Sequence, residues 1–158
     1  MSPDAPSATV PKQRAPEATP AEPSRAASAA PAGPRVLLVD DNDELCASLA
    51  AVLAEHGLSV ETAGGAGDAT ALLRDHAFDA AVIDLVMPGT HGLTLLAELR
   101  ALENGRDMAC VVMSGLPAGD ARTKARKQVG RFHAAAFVDK PVTPRRLLIT
   151  LGRLLAAR

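Results

Sequence analysis

From Arg35 onward, short apolar runs alternate with stretches of helical period, and this alternation constrains the fold more than any other feature. "RVLLVD" reads as a strand, and "NDELCASLAAVLAEHG" follows as a helix in which Leu45, Leu49, Val52 and Leu53 recur at helical spacing. Asp41 or Asn42 caps its start, and Gly57 stops it just after His56. "LSVETA" is a weaker second strand. "GDATALLRDH" is a short helix with Leu72 and Leu73 turned inward. "DAAVIDLV" gives the third strand, and "HGLTLLAELRALENG" a helix with a stripe of Leu93, Leu96, Leu99 and Leu102. "MACVVMSG" and "AAAFVDKP" are the fourth and fifth strands, separated by a helix with Ala121, Ala125 and Val129 on one face. Thr143 caps a last helix whose stripe is Leu147, Leu148, Leu151, Leu154 and Leu155, with Pro144 at its first position. Five strand-helix units over residues 35–158 predict an α/β domain: a doubly wound, five-stranded parallel sheet with helices on both faces.

The first 34 residues break this pattern. Ala and Pro supply 18 of them and no hydrophobic period runs through them, so they cannot bury enough surface to offset their ordering entropy. A disordered tail over residues 1–34 is expected. Its recurrent prolines and scattered acids do not suit a signal peptide. No later run approaches the roughly 18 apolar residues of a membrane helix, so a cytoplasmic chain with no membrane partner is expected. Cys46 and Cys110 form no CxxC pair and sit in apolar runs, which points to buried thiols in a reducing compartment.

In a sheet of this kind ligands bind beyond the carboxyl ends of the strands. There the sequence places Asp40 and Asp41 after strand one, Asp84 after strand three, Ser114 after strand four and Lys140 after strand five. An acid at the lip of an apolar strand costs desolvation energy unless something compensates it. Three converging carboxylates also repel one another, and a hard divalent ion such as Mg2+ relieves both costs. That ion can neutralise a phosphoryl group while Lys140 and the Ser114 hydroxyl contact its remaining oxygens. Asp84 then stands as a nucleophile able to form an acyl phosphate.

Four segments in this order, "LLVDDN", "VIDLVMPGTHG", "VVMSG" and "FVDKP", together resemble the receiver domain of two-component response regulators over Arg35 to Arg158. The resemblance implies a flavodoxin-like strand order of 2-1-3-4-5. It also implies phosphorylation of Asp84 by a histidine kinase or histidine phosphotransfer protein. Magnesium would be held by Asp41, Asp84 and the backbone carbonyl of Val86, with Asp40 acting mostly through water. Ser114 and Phe137 would form the switch pair, and the Lys140-Pro141 bond would be cis. Pro88 and Gly89 would shape the turn after Asp84, and Gly92 would let the next helix pack close. A downstream protein would bind the face formed by helix four, strand five and helix five.

Some positions depart from the family's usual pattern. Phe137 stands where many receivers carry Tyr, and the chain between Ser114 and Lys140 is longer than usual, which predicts an extended helix or loop around Arg131 to Ala135. Val86 and Leu116, two residues beyond Asp84 and Ser114, are apolar where the family tunes water access, and slow loss of the phosphoryl group is expected.

Other signals are weaker. The basic helix carrying Arg122, Lys124, Arg126, Lys127 and Arg131 is read as a solvated face, with an acidic protein surface as the competing reading. Without a helix-turn-helix or stacking aromatics, nucleic acid is not expected as a partner. "GGAGD" lacks the spacing of a phosphate loop, "MSGL" lacks a nucleophile elbow, and the four histidines lack metal-ligand spacing. A stand-alone receiver is expected, with no output domain after Arg158. The alternatives are a pseudo-receiver acting without phosphorylation and a nucleotide- or flavin-binding domain of similar topology.

Overall fold

A computed structural model describes residues 33–133 and 135–158. The expected disordered tail lies outside these residues except for its last two positions, and the Pro34 carbonyl already accepts from the Ser59 amide at 2.9 Å. The expected alternation is present. The chain runs β1 (Arg35–Val39), α1 (Asp43–Glu55), β2 (Ser59–Ala63), α2 (Ala66–Asp75), β3 (Ala80–Asp84), β4 (Val86–Met87), β5 (Thr90–His91), α3 (Gly92–Ala101), a 3-10 turn (Glu103–Gly105), β6 (Ala109–Ser114), α4 (Asp120–Val129), β7 (Ala135–Asp139) and α5 (Pro144–Ala156). The main sheet has the order β2-β1-β3-β6-β7 with every pair parallel, which is the expected 2-1-3-4-5 once the short ribbon is set aside.

Alternate side chains of each central strand enter two cores. Leu37, Val39, Ala81, Ile83, Cys110 and Val112 meet α2, α3 and α4 on one face. Val36, Leu38, Ala80, Val82, Val111 and Met113 meet α1 and α5 on the other. Because both faces are covered, β3 and β6 are buried at every position, which explains their unbroken apolar runs. Each large side chain such as Leu37 or Ile83, fully buried, contributes about 1.5–3 kcal/mol relative to exposure.

Asn42 caps α1, its side chain accepting from the Leu45 amide at 3.0 Å. Gly57, with φ at 83°, reverses the chain after it in the left-handed region that favours glycine. The stripe of α3 is centred differently from the expectation: Leu95, Leu96 and Leu99 are buried, whereas Leu93 and Leu102 only border the core. Where an extended helix or loop was expected around Arg131 to Ala135, α4 ends at Val129 and turns follow over residues 130–133. Arg100 ties the end of those turns to the segment before β6, donating to the carbonyl of His133 at 2.7 Å, to that of Gly105 at 2.8 Å and also to that of Met108. Among the described residues, no helix is long and apolar enough to cross a membrane.

Cys46 and Cys110 are buried thiols outside any disulfide. Burial pushes each thiol up to about 11, and the charges of Asp40 and Asp43 add to the rise at Cys46. Since the thiolate is the reacting species, neither cysteine should be labelled by a disulfide reagent at pH 8 in the native protein, and both should react in denaturant. Rapid native labelling of either would contradict this burial.

Candidate functional site

Of the five residues expected at the strand ends, Asp40, Asp41, Asp84 and Lys140 bring their side chains together, and Ser114 is joined to Lys140 through the backbone. Asp40 follows the end of β1 with its side chain buried. Its Oδ1 accepts from the Asn42 amide at 2.9 Å, closing a turn into α1, and its Oδ2 accepts from Lys140 Nζ at 2.9 Å. Asp84 ends β3, paired with Met113 of β6. Its Oδ1 lies 3.2 Å from Lys140 Nζ and accepts from the Val86 amide at 3.4 Å. Oδ2 of Asp84 has no protein partner among the described residues. Among the described residues, Asp40, Asp84 and Ser114 are the buried polar side chains, only 1–5% exposed, whereas Asp41 is exposed to solvent.

Ser114 ends β6, and its Oγ accepts from the Leu116 amide at 3.1 Å. The Lys140 amide donates to the Ser114 carbonyl at 2.7 Å, which fixes the two strand ends side by side. The Lys140-Pro141 bond is cis.

Just beyond Asp84 the chain folds into a two-residue ribbon, β4 against β5, that was not expected. Pro88 and Gly89 form its tip, with Gly89 at φ 78°. The ribbon returns the chain so tightly that a Cβ at Gly92 would lie 2.3 Å from the Asp84 carbonyl oxygen. Any larger residue at the start of α3 would push against the peptide that carries Asp84. Val86, in the ribbon, is 53% exposed. Phe137 is partly buried against the core beneath α4.

The electrostatics of the cluster are unbalanced. Burial pushes the Asp84 carboxyl above the ordinary carboxylate range and the charge of Asp40 adds to the rise, while Lys140 and the Val86 amide act in the other direction. Burial also opposes the charge on Lys140, but its hydrogen bond to Asp40 and the charges of Asp84 and Asp40 outweigh it and hold the ammonium above its usual range. One ammonium therefore serves two buried carboxylates, with Asp41 beside them.

A hard divalent ion fits this donor set. One carboxylate oxygen from each of Asp40, Asp41 and Asp84 lies within 4.8 Å of the others. An octahedral magnesium with ligands at about 2.1 Å spans about 4.2 Å between opposite oxygens, so small side-chain rotations would close the cluster on the ion. Asp41 is the most available ligand, since both oxygens of Asp40 already have protein partners.

Sequence reasoning missed the role of Asp139. Its carboxylate accepts from Arg126 at 2.8 Å and from Arg122 at 3.5 Å, joining α4 to the end of β7. A lone acid before "KP" carries no signal of a partner 13 residues away.

Known proteins share this fold and parts of this sequence. A response regulator receiver protein from Anaeromyxobacter sp. (strain Fw109-5) is 36% identical over 114 residues, covering 72% of this chain and 45% of that protein. The sensory/regulatory protein RpfC of Xanthomonas campestris pv. campestris is 32% identical over 121 residues, 76% of this chain but 16% of the relative. The chain thus spans less than half the length of these curated relatives. The crystal structure of a CheY-like response regulator receiver domain protein from Methanospirillum hungatei JF-1 superposes with a TM-score of 0.68 at 27% identity, covering 78% of this chain and 94% of that one. The sequence model of the response regulator receiver domain matches residues 36–151. That span takes in every strand end described above, and this chain belongs to the response regulator receiver domain family, whose members are signalling domains of two-component systems.

Proposed function

We propose that this chain is a phosphoacceptor that takes a phosphoryl group on Asp84 from a histidine kinase or a histidine phosphotransfer protein. The observation that carries the reading is the division of labour on Asp84: Oδ1 is held by Lys140 and the Val86 amide, and Oδ2 has no partner among the described residues. Oδ2 attacks phosphorus, the bond from phosphorus to the donor imidazole nitrogen breaks, and its electron pair stays on that nitrogen. Lys140 and the Ser114 hydroxyl hold the phosphoryl oxygens through charge-assisted hydrogen bonds. Asp41, Asp84 and the Val86 carbonyl would hold magnesium directly, with Asp40 engaged through water. When bound, the ion offsets the negative charge that gathers on the transferring group.

The product replaces one carboxylate with a group of up to about two negative charges, by analogy with other phosphorylated side chains. Ser114 is drawn toward it and Phe137 turns into the space released, which alters the face built by α4, β7 and α5. That face engages a downstream protein, in the cytoplasm, with neither nucleic acid nor membrane as the main partner.

The test is incubation of the purified chain with Mg2+ and a small acyl-phosphate donor, followed by intact mass. A phosphoryl adduct in the wild type, absent without Mg2+, supports the reading. A wild type that takes no adduct contradicts it and leaves a binding module that works without phosphorylation. Val86 and Leu116 supply no polar group to orient a hydrolytic water, so the adduct should decay over minutes to hours once the donor is removed. A half-life of seconds would contradict that expectation.

A further inference from the structure

The geometry points to Arg126 as a positioning residue that holds Phe137 in its unswitched place, an inference that rests on the reading of Ser114 and Phe137 as the switch pair. The guanidinium carbon of Arg126 lies 5.0 Å from the centroid of the Phe137 ring. The same guanidinium donates to Asp139 Oδ2 at 2.8 Å, and Arg122, one turn earlier on α4, donates to Oδ1 at 3.5 Å. Phe137 and Asp139 are two apart on β7 and share one side of the strand. One carboxylate therefore anchors two arginines, and one of them covers the ring.

The clamp is built into the site itself. Asp139 is the sheet partner of Ser114 and directly precedes Lys140, whose amide donates to the Ser114 carbonyl. Strand pairing keeps Asp139 in place, and Asp139 in turn keeps Arg126 in place. If the ring swings toward Ser114, the tethered guanidinium cannot follow, and the cation–π contact is lost. Arg126 thus favours the unphosphorylated arrangement, and any ligand that requires the swing must work against it. Arg126 is 54% exposed and Asp139 28%, so the bias is modest and its release by a phosphoryl-sized ligand is feasible.

Reciprocity fixes the sign of the test. Beryllofluoride, a phosphoryl mimic, is titrated with Mg2+ into protein labelled with 4-fluorophenylalanine. The chain has three Phe, and the signal of Phe137 is assigned by its loss in Phe137→Leu. Arg126→Ala should move that signal part of the way toward its beryllofluoride-bound position before any ligand is added. It should also tighten apparent beryllofluoride affinity about 2- to 5-fold, the range expected for the one exposed cation–π contact that the swing breaks. Arg126→Lys, which keeps the charge but not the planar stack, should fall between the two. Lys124→Ala, on the same helix without either contact, should behave as wild type.

In a Phe137→Leu background, Arg126→Ala should have no further effect on affinity. Unchanged or weakened affinity in Arg126→Ala, or an equal gain without the Phe137 ring, would overturn the inference while leaving the phosphoacceptor reading intact. Failure of beryllofluoride to bind wild type would instead strike the phosphoacceptor reading, and this inference with it.

Discussion

Asp84→Asn is expected to abolish the acyl-phosphate adduct while making the metal-free protein more stable. The two effects have one cause. Burial raises the Asp84 carboxyl above its ordinary 3.8, so the folded state binds its proton more tightly than the unfolded state does. A carboxyl raised in this way weakens the fold most above its folded value, and the penalty vanishes below its unfolded value. Between those limits the metal-free wild type should gain stability as pH falls, as far as Asp84 is concerned. Asn keeps the shape without the charge, so at pH 7 the variant should melt at a higher temperature than the metal-free wild type. Added Mg2+ should stabilise wild type more than the variant. Thermal melts with and without Mg2+, alongside intact mass, check all three outcomes. A variant less stable than metal-free wild type would contradict the electrostatic account.

Lys140→Ala should have the largest destabilising effect. Its ammonium is within 2.9 Å of Asp40 and 3.2 Å of Asp84, both almost fully buried. Removing one partner of a buried pair typically costs about 3–5 kcal/mol. Lys140 is 24% exposed, and solvent screening lowers the expectation to about 2–3 kcal/mol. Phosphoryl uptake should fall about 100-fold or more, as when a preorganised charge is removed from a transferring group. Two controls separate charge from packing. Mg2+ should restore part of the lost stability by serving the same carboxylates, and adding Asp84→Asn should recover stability but not phosphorylation. Denaturant unfolding of the single and double variants reads both. A loss that neither control recovers would place Lys140 in a packing role.

The two halves of this molecule differed in how far the sequence disclosed them. β1, β3 and β6 were legible because a strand covered on both faces must be apolar at every position, and "VLLV", "AVI" and "CVVM" are. The acids were legible because they interrupt such runs at their ends. In α3, three leucines within four positions, Leu93, Leu95 and Leu96, fit more than one stripe, and packing against the sheet chose Leu95 and Leu96. The β4–β5 ribbon has two residues per strand and no period to detect. The pairing of Lys140 with Asp40 spans 100 residues, so motif order suggested their proximity but not the shared use of one ammonium. Asp139 and its arginines left no local trace, since each looks like an ordinary surface charge.

The central claim is that Asp84 alone, among clustered acids, accepts phosphorus. Borohydride reduces an acyl phosphate to an alcohol and leaves free carboxylates untouched. The chain, phosphorylated by a small acyl phosphate with Mg2+, is therefore reduced, digested and mapped by mass spectrometry. The account predicts reduction at Asp84 and at no other acid. Reduction at Asp40 or Asp41, or phosphate retained on Ser114 or a histidine with Asp84 intact, would contradict it.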